Sequence, residues 1–154
     1  MKALSVRQPW ALHINDGRKK LEFRTWATNH RGELLICASK HDSGVWVEVE
    51  VDGKKQVLPA PLGCQMCVVE LLDVRPATRE EVEAEGVEWS PGLYAWVLGD
   101  VFPVEPAPVS GRLSLFDVPG AQIFPLRGEA FWCDFEYEGR RKKRDGIKRV
   151  PETV

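Results

Sequence analysis

The sequence contains few of the features that cross-link small secreted domains or anchor a chain in a membrane. Only four of its 154 residues are cysteine, and a domain of this length buries enough apolar surface to fold without cross-links. No apolar run approaches the roughly 20 residues that span a bilayer, and the N-terminal residues lack the pattern of a secretory signal peptide. With 44% apolar and 29% charged residues, the composition is typical of a globular domain. We therefore expect a cytoplasmic protein without a membrane partner.

Motifs for metal binding and for catalysis are equally scarce. Cys64 and Cys67 form one CxxC pair, but no second CxxC or HxxxH motif completes a ligand set. Their segment, CQMCVVELLDV, has the composition of a buried strand, so we interpret both thiols as small apolar core groups. The sequence has no GxSxG motif and no Walker loop, and its three histidines stand alone. We expect neither a metal nor a cofactor.

Charge is distributed unevenly along the chain, although the net charge is only -2. Residues 1–40 carry eight Lys and Arg against three acids, residues 41–138 carry six against eighteen, and residues 139–154 carry seven against two. Basic segments at both ends favour a polyanionic partner. The alternative for the last segment is a solvated tail that keeps the chain soluble. The predicted organisation is one domain over residues 1–138 followed by a basic C-terminal tail over residues 139–154.

Two short helices are marked by their end residues. Pro9 is suited to the first turn of a helix and Gly17 to its end, with short strands predicted on either side. Thr78 and Glu81 have the Thr-x-x-Glu spacing of a capping box, which predicts a second helix in TREEVEAEG.

Most of the remaining chain has the pattern of short strands. ELLICAS is apolar on both faces, as in a covered central strand, and residues 45–58 alternate around Asp52-Gly53, which indicates a hairpin. Residues 67–74, within CQMCVVELLDV, predict another strand. GLYAWVLGDVFPVEPAPV predicts two strands, the second interrupted by prolines, and GEAFWCDFEYEG predicts a late strand. This pattern favours a small, mostly antiparallel barrel with flanking helices.

The first block of the sequence, SVRQPWALHINDGRKKLEFRTWATNHRGELLICASK, resembles the opening of the ASCH (activating signal cointegrator homology) domain family, within the PUA-like superfamily. The shared pattern runs Gln8-Pro9-Trp10, Gly17, Lys19, Glu22-x-Arg24-x-Trp26 and Arg31-Gly32. GCQMCVVELLDV, LYAWVLGDVFPVEP and VSGRLSLFDVP look like later parts of the family, whereas the 45–58 hairpin and the residues from about 128 onward lie outside its pattern. The resemblance implies an α+β, mostly β fold: a PUA-like pseudo-barrel of about five to six strands with short flanking helices. It also implies a cleft that carries the Lys, the Glu and the Arg.

The segment KLEFRTW supplies the centre of a candidate site. Its alternation places Glu22, Arg24 and Trp26 on one face of a strand, and Lys19, at the loop edge, can reach either side. Arg24 and Lys19 can contact phosphate or the acceptor edge of a base, Glu22 can accept from an exocyclic amine, and a tryptophan can stack on a base. The alternative is a solvated Arg–Glu pair worth under about 1 kcal/mol.

Four further residues have candidate roles beside this strand. Trp10 can stack on a base or anchor the core, and Gln8 can cap the first helix or reach into the cleft. Arg31 can join the basic rim or form a tight turn, and Lys40, with the neighbouring His41, can line the same opening. The predicted nucleic-acid-binding residues are Gln8, Trp10, Lys19, Glu22, Arg24, Trp26, Arg31 and Lys40.

The predicted function is a module that holds RNA, another single-stranded nucleic acid or a nucleoside in a basic cleft. The alternative is a hydrolase acting on a nucleoside or on RNA, because the resemblance extends to bacterial amidohydrolases of acetylated cytidine and to a ribonuclease-like activity. Counted from Gly17, the amidohydrolase lysine falls on Lys19 but the threonine falls on Glu22, and Thr25 points the other way on a strand. Lys19 and Glu22 are the catalytic candidates for an enzyme, and the oligomeric state stays open.

Overall fold

The structure is a computed structural model that describes residues 1–41, 44–51 and 53–126. The late strand predicted in GEAFWCDFEYEG and the basic tail predicted over residues 139–154 lie outside the described residues. The described elements are β1 (Lys2–Val6), α1 (Trp10–Asn15), β2 (Leu21–Arg24), β3 (Gly32–Ala38), β4 (Trp46–Val51), β5 (Lys54–Pro59), β6 (Cys64–Pro76), α2 (Arg79–Ala84), β7 (Tyr94–Pro103) and β8 (Phe116–Asp117). None of the described helices is long and apolar enough to cross a membrane.

Six of the strands form one sheet that curls into a half-barrel, in the order β2-β7-β6-β3-β1-β8. Neighbouring strands are antiparallel except β1 and β3, which are parallel. The α1 helix lies between β1 and β2 in the chain and packs on β3, β6 and β7. The expected α+β, mostly β architecture with a six-strand pseudo-barrel and short helices is confirmed.

Strand β3 is central because it is apolar on both faces. Leu34 and Ile36 pack into the main core cluster, and Leu35 and Cys37 pack into a second cluster on the other side of the sheet. Full burial of such a side chain stabilises the fold by about 1.5–3 kcal/mol. The continuous apolar run ELLICAS therefore holds two layers together, as its pattern predicted.

The helix ends are also as predicted. The α1 helix begins after Pro9, and Gly17 ends it in the left-handed region at φ +74°, where glycine has no Cβ to strain. Thr78 and Glu81 form a complete capping box at the start of α2, since each side chain accepts from the other residue's backbone N–H.

Two strand predictions have different outcomes. The β4–β5 hairpin forms with Val51 opposite Lys54, as the alternation predicted, and packs on the core through Val47. The prediction of two strands in GLYAWVLGDVFPVEPAPV is wrong, because β7 continues from Tyr94 to Pro103 without a break. Register shifts on β6 between Val69 and Asp73 absorb the irregularity around Gly99, so that β7 stays paired across it.

The described cysteines are core groups. Cys37, Cys64 and Cys67 are free and buried, and burial raises the pKa of the Cys37 and Cys64 thiols to about 12. Thiols with so little thiolate character are poor metal ligands and poor nucleophiles. Within the part of the chain that the structure describes, no group of three or more His, Cys, Asp and Glu side chains could hold a metal ion.

Candidate nucleic-acid interface

A cleft of about 660 Å³ opens beside the edge strand β2, within the range of about 300–1,000 Å³ typical of small-molecule sites. Its walls are the end of β1 and the turn that follows it, the start of α1, β2, the loop after β3 and the loop before β8. The lining residues are Ser5, Val6, Arg7, Trp10, Glu22, Phe23, Arg24, Ser39, Lys40, His41, Gly111, Arg112 and Leu113.

The cleft lining is strongly cationic. It contains Arg7, Arg24, Lys40 and Arg112, and among the described lining residues Glu22 is the sole carboxylate. Arg7 and Arg112 are exposed and make no side-chain hydrogen bond or ion pair with any described residue. Their guanidinium groups are therefore available to an anion that enters from solvent.

Strand β2 positions Glu22 and Arg24 on the cleft side, as the alternation predicted. Leu21 and Phe23 pack against the small cluster beneath α2, and Phe23 also contributes to the cleft lining. Arg24 Nη2 lies 3.2 Å from Glu22 Oε2 and donates to the Ser5 carbonyl oxygen at 3.0 Å. Arg24 is thus fixed between two strands, which gives its remaining N–H groups a defined direction.

Lys19 joins the same group of charges but lies behind Glu22. Its Nζ is 3.8 Å from Glu22 Oε1 and 3.1 Å from Glu85 Oε2, and it lies 5.6 Å from the centre of the Phe23 ring. Only 7% of its side chain is exposed, and it is not among the residues that line the cleft. Lys19, Glu22 and Arg24 therefore converge, but Glu22 and Arg24 alone face the opening.

The two candidate stacking tryptophans have different environments. Trp10 is 43% exposed and lines the cleft, so its ring is accessible. Trp26 packs edge-to-face on Trp96, with ring centroids 4.8 Å apart at 80°, and its carbonyl accepts from Trp96 Nε1. Trp26 belongs to the margin of the main core and is not among the lining residues.

Of the three remaining predicted residues, Lys40 lines the cleft, whereas Gln8 and Arg31 do not. Gln8 is fully buried. Its Nε2 donates to the Pro61 carbonyl oxygen, and its Oε1 accepts from the Leu12 N–H in α1. The capping alternative is thus the one that the structure supports for Gln8. Arg31 donates to the carbonyl oxygens of Thr28 and His30 and is not a lining residue. Lys40 is a lining residue.

Arg7 and Arg112 were missed by sequence reasoning. Arg7 had a signal, because continuing the alternation of β1 places Ser5 and Arg7 on the side opposite the buried Leu4 and Val6. Arg112 had no local signal. It reaches the cleft because β8 pairs with β1, with Phe116 opposite Ala3, a contact between distant parts of the chain.

The chain is similar to known proteins of one family. The ASCH domain family model matches residues 4–108. Over 79 residues the chain is 34% identical to activating signal cointegrator 1 of Homo sapiens and 33% identical to that of Mus musculus. These matches cover 46% of this chain and only 14% of each relative. The solved structure of ASCH from Zymomonas mobilis has a TM-score of 0.53 at 14% identity, covering 77% of this chain and 87% of that chain.

The TM-score supports the fold, and the family model spans more than half of the sequence. The motif that lines the cleft, from Ser5 to Arg24, lies inside the matched range. The chain belongs to the ASCH domain family, a PUA-like family generally associated with RNA binding.

Proposed function

We propose that this chain binds RNA, or another single-stranded nucleic acid, by holding one unstacked nucleotide in the basic cleft. The observation that carries the proposal is the exposed Trp10 ring in a cleft that also contains four cationic side chains. An aromatic face beside arginines is the usual means by which proteins hold an unpaired base and its phosphates.

The chemistry of the cleft supports separate roles for its walls. Arg7 and Arg112, which are exposed and unpaired among the described residues, suit phosphate oxygens. Trp10 suits the face of the base, and stacking of this kind contributes about 1–3 kcal/mol per base. Arg24 and Glu22 then lie where the polar edge of the base would be. A single strand is favoured over a duplex because its bases can leave the stack.

The family association supports RNA as the nucleic acid. The relatives add less, because the chain matches only 14% of the length of activating signal cointegrator 1, so that the activity of the whole relative does not transfer to this chain. The choice of ligand therefore depends on the cleft and on the family.

The hydrolase alternative has less support from the geometry. It requires Lys19 and Glu22 to act on a bound substrate, but the Lys19 ammonium is held between Glu22 and Glu85 and does not line the cleft. Lys19 would have to leave these contacts before it could act on a ligand in the cleft. Incubation with acetylated cytidine and with RNA tests this alternative, and turnover that Lys19→Ala abolishes would favour it.

Fluorescence anisotropy with a labelled single-stranded RNA tests the binding proposal. We expect binding at 50 mM salt that weakens steeply by 200 mM, because phosphate contacts release counterions. The double variant Arg7→Ala/Arg112→Ala should bind more weakly and reduce the slope of log K against log salt by roughly one to two.

The charge-matched control is Arg18→Ala/Arg79→Ala, which removes two arginines that do not line the cleft. Equal losses in both double variants would mean that overall charge, and not the cleft, attracts RNA. An absence of binding by the unmodified protein at 50 mM salt would overturn the proposal.

A further inference from the structure

We propose that Glu22 makes the cleft selective for bases that carry an amine, guanine above all, over uracil. This inference depends on the proposed function, because it assigns the base that the same cleft holds. Among the described lining residues, the cleft holds one carboxylate beside several cations.

The position of Glu22 excludes phosphate from its part of the cleft. A carboxylate repels a phosphate at close range, so a site for phosphate alone would be better formed without it. Only 11% of the Glu22 side chain is exposed, and Glu22 lines the cleft. The ligand group that meets Glu22 must therefore be a hydrogen-bond donor, whereas phosphate is left to Arg7 and Arg112 at the outer walls.

Glu22 still has acceptor capacity for such a donor. An ionised carboxylate has about four lone-pair positions and donates nothing. One oxygen, Oε2, accepts from Arg24 at 3.2 Å, and the other, Oε1, lies 3.8 Å from the Lys19 ammonium. Each oxygen keeps at least one position for a ligand, and the two cations hold the carboxylate in a defined orientation before the ligand arrives.

Guanine matches this arrangement of acceptor and donor. Its N1–H and N2–H groups lie side by side and can meet the two oxygens of one carboxylate, while its O6 can accept from an arginine beside it. Arg24 can donate to this O6. Its Nη2 makes both of its hydrogen bonds to described residues, and the guanidinium carries five N–H groups in all.

Uracil fits the same groups poorly. Its single ring N–H is flanked by two carbonyl oxygens, so a carboxylate that accepts from it brings an oxygen against another acceptor. Adenine and cytosine are intermediate, because each offers one amine beside a ring acceptor. The expected order of affinity is guanine first, cytosine and adenine next, and uracil last.

The test uses four labelled ten-nucleotide uridine oligomers that differ only at one central position, which is G, C, A or U. For the unmodified protein at 50 mM salt, we expect the oligomer with G to bind about tenfold more tightly than the oligomer with U, as for one good bidentate contact. In Glu22→Gln the ratio should fall to within twofold, because the amide presents a donor beside its acceptor and serves uracil as well.

The matched control is Glu85→Gln, which removes the other carboxylate next to Lys19 and leaves the cleft lining unchanged. This variant should keep the tenfold preference, and thermal unfolding of both variants checks that the fold is intact. The ratio between oligomers, and not the affinity itself, is the readout, since a merely structural loss weakens all four equally.

The possible failures are distinguishable. Equal binding of the four oligomers by the unmodified protein overturns the selectivity and leaves the proposed function standing. An unchanged preference in Glu22→Gln overturns the role of Glu22. If none of the oligomers binds at 50 mM salt, the proposed function fails and the selectivity fails with it.

Discussion

Two arginine–glutamate pairs in this protein have the same residue types but different surroundings. Arg75 and Glu81 form a bidentate pair with N···O distances of 2.8 and 2.7 Å, and Glu81 also accepts the Thr78 backbone N–H at the start of α2. Arg24 and Glu22 share one contact of 3.2 Å and line the cleft. The first pair uses its hydrogen-bonding capacity within the fold, whereas the second makes fewer contacts and faces the cleft.

The charges of the Arg75–Glu81 pair are stabilised by the contacts between the two side chains. The hydrogen bonds from Arg75, followed by the backbone hydrogen bond from Thr78, lower the pKa of Glu81 to about 2. The hydrogen bonds between Arg75 and Glu81 also raise the pKa of Arg75. An ion pair seen in a sequence or a structure is thus not by itself a sign of function. What distinguishes the two pairs is whether acceptor and donor positions remain and whether they face a cavity.

The largest expected effect is on RNA affinity and compares the two arginines directly. Arg24→Ala should weaken binding by about 2–3 kcal/mol, because it removes the proposed ligand contact and releases Glu22 from its orientation. Arg75→Ala should change affinity less than twofold, because Arg75 does not line the cleft. Anisotropy titrations at one salt concentration measure both. A similar loss in the two variants would mean that the Arg24–Glu22 pair has no special role in RNA binding compared with the Arg75–Glu81 pair.

Trp10 should have the next largest effect on binding. Trp10→Ala should weaken RNA binding by about 1–2 kcal/mol through lost stacking, whereas Trp10→Phe should keep much of the affinity because it keeps an aromatic face. Quenching of tryptophan fluorescence by added RNA gives an independent measure, and Trp10→Phe should reduce its amplitude. Equal affinities for Trp10→Ala and the unmodified protein would place the base elsewhere.

Glu81→Gln should affect stability and leave binding unchanged. It removes the charge of the Arg75–Glu81 ion pair, although the amide oxygen can still accept the Thr78 N–H as in a capping box, so the free energy of unfolding should fall by about 0.5–1 kcal/mol near pH 7. Because the pKa of Glu81 is lowered to about 2 from 4.5, its contribution is present above about pH 4.5 and is lost as the pH falls toward 2. Urea unfolding of both proteins between pH 7 and pH 3 checks this. A constant difference over that range would contradict it.

Local patterns predicted the parts of the site that a single element determines. The alternation in KLEFRTW placed Glu22 and Arg24 on one face, and the Thr78–Glu81 spacing predicted the α2 cap, because both depend on neighbours within four residues. Lys19 was harder to place. It precedes the strand, and its direction is set by Glu85, a distant carboxylate at the end of α2.

Contacts between distant parts of the chain account for what sequence reasoning missed. Gln8 could have capped α1 or faced the cleft, and the loop carbonyl of Pro61 decides between them. Arg112 enters the cleft through the pairing of β8 with β1. The proline-rich segment predicted a second, interrupted strand, but β7 runs as one strand to Pro103 and stays paired with β6 through the register shifts of β6. None of these partners has a local signature.

A buried histidine on α1, His13, provides the smallest and most specific test. The pKa of His13 is lowered, first by burial and then by the charge of Arg18, with Lys19 acting in the same direction and Asp16 opposing it. The folded state therefore binds this proton less readily than the unfolded state. As the pH falls below about 6.5, the unfolded state takes up the proton first and the free energy of unfolding decreases.

His13→Phe should remove this part of the pH dependence between pH 7.5 and pH 5.5, as measured by urea unfolding. The substitution removes no hydrogen bond of His13 Nε2, because this atom is buried without a hydrogen-bond partner among the described residues. The unmodified protein, measured over the same pH range, is the reference. Since His13 accepts the backbone N–H groups of Arg18 and Lys19 at its carbonyl oxygen, a main-chain contact that the substitution preserves, RNA affinity at pH 7.5 should stay within twofold. A loss of affinity in His13→Phe would instead show that the cleft depends on the packing of α1 as much as on the charges of β2.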